Sequence, residues 1–258
     1  PPTAMGDWVD RGALRPEGDK AGHRILLEGE TLRRAQAGYF GLIEHLDEQL
    51  ATLITDFKTR SEKAGRPWVI VVTADHGEML GDHGFFRKCE PYEGSANIPL
   101  LIAGSRELGF KRSLRSLQPV CLEDIMPTLL ELAGAERPKK MDGRSLLPVL
   151  RGADASVRAW LHFEHSPIYS ADQGFHALTD GRAKYIWRPN SGREQLFDLV
   201  DDPREEHDLS AQAPHRATLE RWRLILVQRL AGRPEGFSDG RQLIAGRPYL
   251  ALHPLPKP

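Results

Sequence analysis

One stretch of the chain gathers a large share of its reactive side chains: Thr73-Ala74-Asp75-His76-Gly77-Glu78, then Asp82-His83-Gly84, then Lys88, then Tyr92-Glu93. A carboxylate and an imidazole on adjacent residues can grip one cation where the backbone turns sharply, and Gly77 permits such a turn. Lys88, thirteen residues after Asp75, can return over the same place as a fixed positive charge for an anionic substrate. The competing reading is structural, with Asp75 capping a helix and His76 packing beside it. Spacing alone leaves both open.

The elements around this stretch decide where it sits. Trp68-Val69-Ile70-Val71-Val72-Thr73 is a short, β-branched, continuously apolar run, the pattern of a strand buried on both faces. Asp75 and His76 therefore leave the carboxyl end of a strand, where open α/β sheets place their ligands. Upstream, Tyr39, Ile43, Leu46, Leu50, Leu53, Ile54 and Phe57 recur at steps of three and four, which predicts a helix over 31–58 ended by Ala64-Gly65-Arg66-Pro67. Downstream, Ile98–Ala103 reads as a neighbouring strand and Asp124–Ala133 as a helix stopped by Gly134. Helix, tight turn and apolar strand make an αβ unit of a parallel, helix-covered sheet.

Past residue 155 the texture changes to short strands, Phe175–Leu178 and Lys184–Trp187, separated by Asp180-Gly181 and Asn190-Ser191-Gly192. A helix over 215–230 follows, with Leu219, Trp222, Leu226 and Leu230 on one face. The last 25 residues are Gly- and Pro-rich and read as a surface wrap. The fold class is thus α/β, with a mixed or parallel sheet flanked by helices over 1–153. A small α+β part with an antiparallel sheet follows over 154–258.

Composition narrows the function. Thirty-five basic and 36 acidic residues leave a net charge of −1, which gives no electrostatic case for nucleic acid. No apolar run approaches the ~18 residues of a membrane span. Two cysteines make neither a disulfide scaffold nor a four-cysteine zinc site.

The segment TADHGEMLGDHG (73–84), with Lys88 and YEGSANIPLLIAG (92–104), closely resembles the second metal-site segment of the sulfatases of the alkaline-phosphatase-like superfamily. Three more stretches agree in order: Tyr39–Asp47, then DIMPTLLELAG (124–134) with DGRSLLPVLRG (142–152), then KYIWRPNSGREQLFDLVDDPREEHDLS (184–210). The resemblance implies a sulfatase large domain in its second half, followed by the family's small domain. It makes Asp75 and His76 metal ligands and Lys88 the catalytic lysine that contacts the sulfate and its leaving oxygen. It implies one divalent cation, calcium first, with manganese or zinc as the alternatives that His76 raises. It further implies a formylglycine nucleophile and a small-molecule or glycan sulfate ester as substrate. Export to the periplasm or outside the cell is implied by the resemblance alone.

Two departures matter. Sulfatases often carry Asn where His76 stands, and an imidazole suits zinc or manganese better than calcium. His76 therefore keeps a phosphonate monoester or phosphodiester hydrolase of the same superfamily as an alternative. The family's Cys/Ser-x-Pro-x-Arg motif is also absent: Cys89-Glu90-Pro91-Tyr92-Glu93 ends in Glu and follows the metal pair, and Cys121 does not match. The chain opens Pro1-Pro2-Thr3 without an initiator Met or a signal-peptide pattern. The expectation is that the nucleophile, the first aspartates and the N-terminal strands precede Pro1, on the same polypeptide or a separate chain. The 258 residues alone would then be inactive and unstable. A noncatalytic module that retains the fold is the reading from another class.

Weaker candidates for substrate contact are His83, Tyr92, Glu93 and His165, each with a structural alternative. His83 can order its loop. Tyr92 and Glu93 can anchor the loop to the next strand. His162, Glu164 and His165 form a polar cluster that reads as a solvated turn. Glu78 and Asp82 read as loop-capping or solvated charges.

Overall fold

A computed structural model describes residues 2–14, 24–168 and 170–248. The expected C-terminal surface wrap lies partly outside them, at 249–258. Among the described residues no helix is long and apolar enough to cross a membrane. The chain forms two compact units that interleave in sequence. One gathers the described residues of 2–26, Gly77–Asn97 and the described residues from Trp160 onward; the other gathers Leu27–His76 and Ile98–Ala159.

In the second unit, helix α1 (Gly29–Lys63) is longer than its apolar periodicity predicts. It stops where Ala64 and Gly65 donate to the Arg60 and Glu62 carbonyls and Gly65 takes a left-handed conformation. Its apolar face is open: Leu42, Leu46 and Leu53 are 69, 55 and 64% exposed, and Tyr39, Phe40, Ile43 and Phe57 are exposed with them. Strand β1 (Val69–Thr73) follows, and β2 (Leu100–Gly104) pairs with it from Val69 opposite Gly104 to Thr73 opposite Leu100. This pairing is antiparallel, where the αβ pattern predicts a parallel neighbour. A parallel return needs a crossover element, and the intervening Gly77–Asn97 instead joins the other unit, with a one-turn 3-10 helix at Asp82–Gly84 and the short helix α2 (Glu93–Ala96). Strand β1 is also half-buried rather than enclosed on both faces.

Helices α3 (Ile125–Leu132) and α4 (Leu147–Leu150) close this unit. Asp124, fully buried, accepts the backbone N–H groups of Cys121 and Arg144 and a two-pronged contact from the Arg158 guanidinium. Burial opposes its ionisation, but Arg158 and the two N–H groups outweigh that and lower its pKa. Thr128 Oγ1 donates to the Asp124 carbonyl and accepts from Leu146 N–H, tying α3 to the segment before α4.

In the first unit, β3 (Leu161–His165), β4 (Phe175–Thr179), β5 (Ala183–Trp187) and β6 (Glu194–Asp198) form an antiparallel sheet in chain order. Side chains alternate between its faces. Leu178, Tyr185, Trp187 and Leu196 pack against Leu219, Trp222, Leu226 and Leu230 of α5 (Arg216–Leu230). Ala177, Ile186 and Phe197 face the other way, onto Met79, Phe85 and Tyr92. Both faces of the sheet are therefore covered. Strand β3 corrects the expected solvated turn: the His162 side chain is 5% exposed, because the strand pairs along its length with β4.

Candidate functional site

Asp75 and His76 lie just beyond β1 and remain open to solvent, with side chains 85 and 42% exposed. The Asp75 carboxylate accepts the His76 backbone N–H through Oδ1 at 3.0 Å, which turns the following side chain toward it. Asp75 Oδ2 and His76 Nε2 then stand 3.5 Å apart. Two donors of this kind around one cation at about 2.0–2.2 Å are separated by roughly that distance. Their separation is compatible with both atoms meeting one divalent cation.

Gly77 is required for a different reason than the turn expected of it. Its φ is not among the positive ones, but a Cβ there would lie 2.2 Å from the Gly94 carbonyl oxygen. Gly77 N–H donates to the Ser95 carbonyl at 2.9 Å, and a Cβ on Gly94 would come within 3.1 Å of Met79 Sδ. The backbone after Asp-His and the backbone after Tyr-Glu therefore run side by side, and only glycines allow that approach.

Lys88 sits in the first unit, half-buried, on a loop held from both ends. Glu78 Oε1 accepts the N–H of Leu80 at 3.0 Å and that of Arg87 at 2.5 Å, and Met79 N–H donates to the Arg87 carbonyl. Arg87 and Cys89, on either side of Lys88, take left-handed φ values of 70° and 75°. Non-glycine residues in that region cost of order 1–3 kcal/mol each and persist only where surrounding contacts over-determine them. Asp82 is likewise a loop cap, accepting Ala4 N–H at 2.7 Å. Both carboxylates act as the loop-capping reading expects.

The weaker candidates each have packing or hydrogen-bond partners within the first unit. His83 is 2% exposed, with its ring between Trp8 and Tyr92 at centroid distances of 4.8 and 5.3 Å. Its Nδ1 accepts Gly6 N–H at 3.1 Å, and burial lowers its pKa to about 4. Tyr92 is 1% exposed, stacks on Trp8 and donates its hydroxyl to Gln195 Oε1; burial pushes its pKa up to about 12. Glu93 holds Lys184 Nζ at 2.7 Å and accepts from Asn97 Nδ2. His165 stacks on Phe175. The structure thus brings together Asp75 with His76, and His83 with Tyr92.

Sequence reading missed the buried cation between Glu93 and Glu205. Lys184, fully buried, reaches both carboxylates, at 2.7 and 2.8 Å, and Glu205 Oε2 also accepts Glu93 N–H. Its one sequence signal is a lysine inside an otherwise apolar strand. Burial raises the Cys89 pKa, and burial with a side-chain hydrogen bond to Glu123 raises Cys121 to about 12.

The family profile described as sulfatase matches residues 11–135, and the one described as N-sulphoglucosamine sulphohydrolase, C-terminal, matches residues 81–229. An arylsulfatase of Clostridium perfringens is 33% identical over 254 residues, covering 98% of this chain and 52% of that protein. A choline-sulfatase of Rhizobium meliloti is 36% identical over 185 residues, covering 70% of this chain and 34% of that protein. Among solved structures, a phosphonate monoester hydrolase from Silicibacter pomeroyi superposes with a TM-score of 0.68 at 28% identity, over 79% of this chain and 42% of that one. The chain spans about half the length of the first relative and about a third of the second.

Proposed function

The chain belongs to the sulfatase family of the alkaline-phosphatase-like superfamily, and we propose that it supplies the C-terminal part of a sulfuric ester hydrolase. The observation that carries this reading is the Asp75 Oδ2 and His76 Nε2 pair, 3.5 Å apart and solvent-exposed at the carboxyl end of β1. In this reading Asp75 and His76 are two ligands of one divalent cation. When bound, the cation draws charge from the ester's peripheral oxygens and lowers the barrier to attack at sulfur.

Lys88 has the second role. A sulfate monoester leaves through an oxygen that gains negative charge as the bond to sulfur breaks, and a fixed ammonium there stabilises the transition state more than the ground state. The left-handed residues flanking Lys88 support such a role, since strained backbone of this kind clusters at functional sites. His83, Tyr92 and Glu93 serve by holding the loop. The nucleophile, a formylglycine, and the remaining metal ligands belong to the further length that the relatives possess. That same length would cover the open apolar face of α1. Substrate class is a small-molecule or glycan sulfate ester.

The second reading, a phosphonate monoester or phosphodiester hydrolase, is favoured by the nitrogen donor His76 and by the Silicibacter pomeroyi likeness. The complete protein assayed in parallel on an aryl sulfate and an aryl phosphonate monoester, with metal content measured, separates the two. Faster sulfate hydrolysis supports the first; turnover of the phosphonate alone overturns it. A coding sequence with no Cys/Ser-x-Pro-x-Arg upstream of Pro1 would favour the noncatalytic module.

A further inference from the structure

Strand β3 carries His162 and Glu164 two residues apart, hence on one face. In the antiparallel register Glu164 stands opposite His176 of β4. One face of one ladder therefore presents two imidazoles and a carboxylate. Their nearest atoms form a small triangle: His176 Nδ1 to Glu164 Oε2 is 2.8 Å, His162 Nε2 to His176 Nδ1 is 3.2 Å, and His162 Nε2 to Glu164 Oε2 is 3.6 Å. Ligands about 2.0–2.2 Å from a tetrahedral zinc ion are separated by about 3.3–3.6 Å, the upper part of this range.

We infer that His162, Glu164 and His176 form a zinc-type divalent-cation site within the small antiparallel sheet. The donor set decides the metal class: two nitrogens and one oxygen match zinc, whereas calcium takes six to eight oxygens. Burial is graded as such a site needs. His176 is fully buried and the His162 side chain is 5% exposed, while Glu164, at 35%, leaves an approach for the ion and a fourth ligand. The carboxylate is already oriented: Arg233 donates to both Glu164 oxygens at 2.8 and 2.9 Å and is itself neutralised by Glu235. Hydrogen-bonded partners of this kind set the direction of a metal ligand. Arg229 opposes the ion, with Nε 3.5 Å from His162 Nδ1, and its exposed side chain must swing outward when His162 moves its proton to Nδ1.

The test is zinc binding by the purified protein after chelation and dialysis, read as bound metal per chain and, with cobalt(II) in place of zinc, as the intense visible bands of a four-coordinate ion. An Asp75→Asn/His76→Asn background removes the other candidate donors. The expected result is one zinc per chain in that background, with the cobalt bands present. His162→Ala and Glu164→Gln should each weaken binding about 100-fold or more, since even outer partners of metal ligands cost 10–100-fold. Glu164→Gln keeps the strand pairing and side-chain volume, and circular dichroism of the metal-free variants confirms folding. No zinc in the Asp75→Asn/His76→Asn background overturns the inference. So does zinc affinity unchanged by both His162→Ala and Glu164→Gln, which would leave the three side chains a hydrogen-bonded cluster.

Discussion

A Cβ on Gly77 would stand 2.2 Å from the carbonyl oxygen of Gly94, so these two glycines let the segment after the Asp-His pair run against the segment after Tyr92. Gly77→Ala is compatible with the local backbone but not with the opposing carbonyl. It should destabilise the protein by about 1–3 kcal/mol, in the range of overpacked sites. Urea unfolding measures this, and an unchanged midpoint would show that the two segments separate freely.

Lys88→Ala should lower kcat of the complete enzyme by about 10²-fold or more, as when a transition-state donor is removed. Glu78→Ala, which frees the N–H groups of Leu80 and Arg87, should lower kcat by a smaller factor. Steady-state kinetics of both variants test the order; a larger loss in Glu78→Ala than in Lys88→Ala would remove Lys88 from the chemistry.

Chelation should abolish activity of the complete enzyme, and Asp75→Asn should prevent its recovery when metal is restored. His76→Asn replaces a nitrogen donor by an oxygen and should move the preference from zinc or manganese toward calcium. Reactivation by each metal in turn measures this. Equal profiles for wild type and His76→Asn would place His76 outside the coordination sphere.

Lys184→Met leaves Glu93 and Glu205 facing each other without a cation, and breaking one partner of a buried ion pair costs about 3–5 kcal/mol. Adding Glu205→Gln removes one of the two charges and should recover part of that loss. Denaturant melts of the single and double variants give the coupling directly.

His83 makes stability depend on pH in a defined direction. Burial holds its pKa near 4, below the ordinary value of 6.5. Between those values the unfolded chain binds a proton that the folded chain refuses, so stability falls as pH drops from about 6.5 to about 4 and then levels. At about 1.4 kcal/mol per pKa unit the loss is at most about 3.5 kcal/mol. His83→Asn suits the left-handed backbone there (φ 56°) and should flatten this part of the stability profile. A parallel slope in both proteins would show that other groups carry the acid sensitivity.

Features that depend on near neighbours in the chain are legible without the fold. The β-branched run before Asp75 dictates a strand whose end carries the Asp-His pair, and the spacing of Leu219, Trp222, Leu226 and Leu230 dictates the buried face of α5. The hairpin turns at Gly181 and Gly192, both with positive φ, mark the edges of β4, β5 and β6. Ordered motifs likewise carried the family, because each is local.

Tertiary structure alone decided the roles of side chains whose partners are distant in the chain. Tyr92 meets Gln195, Glu93 meets Lys184, and Glu78 faces Arg87 across its loop, so polar residues that read as pocket-lining or solvated are held within the fold. The direction of β2 followed the path of the chain between the strands rather than the αβ pattern. Polar residues give no apolar alternation, so β3 read as a turn until its pairing with β4 set His162, Glu164 and His176 on one face. Periodicity reports which neighbours share a surface, while burial of a charge or an imidazole is fixed by whatever long-range partner arrives to satisfy it.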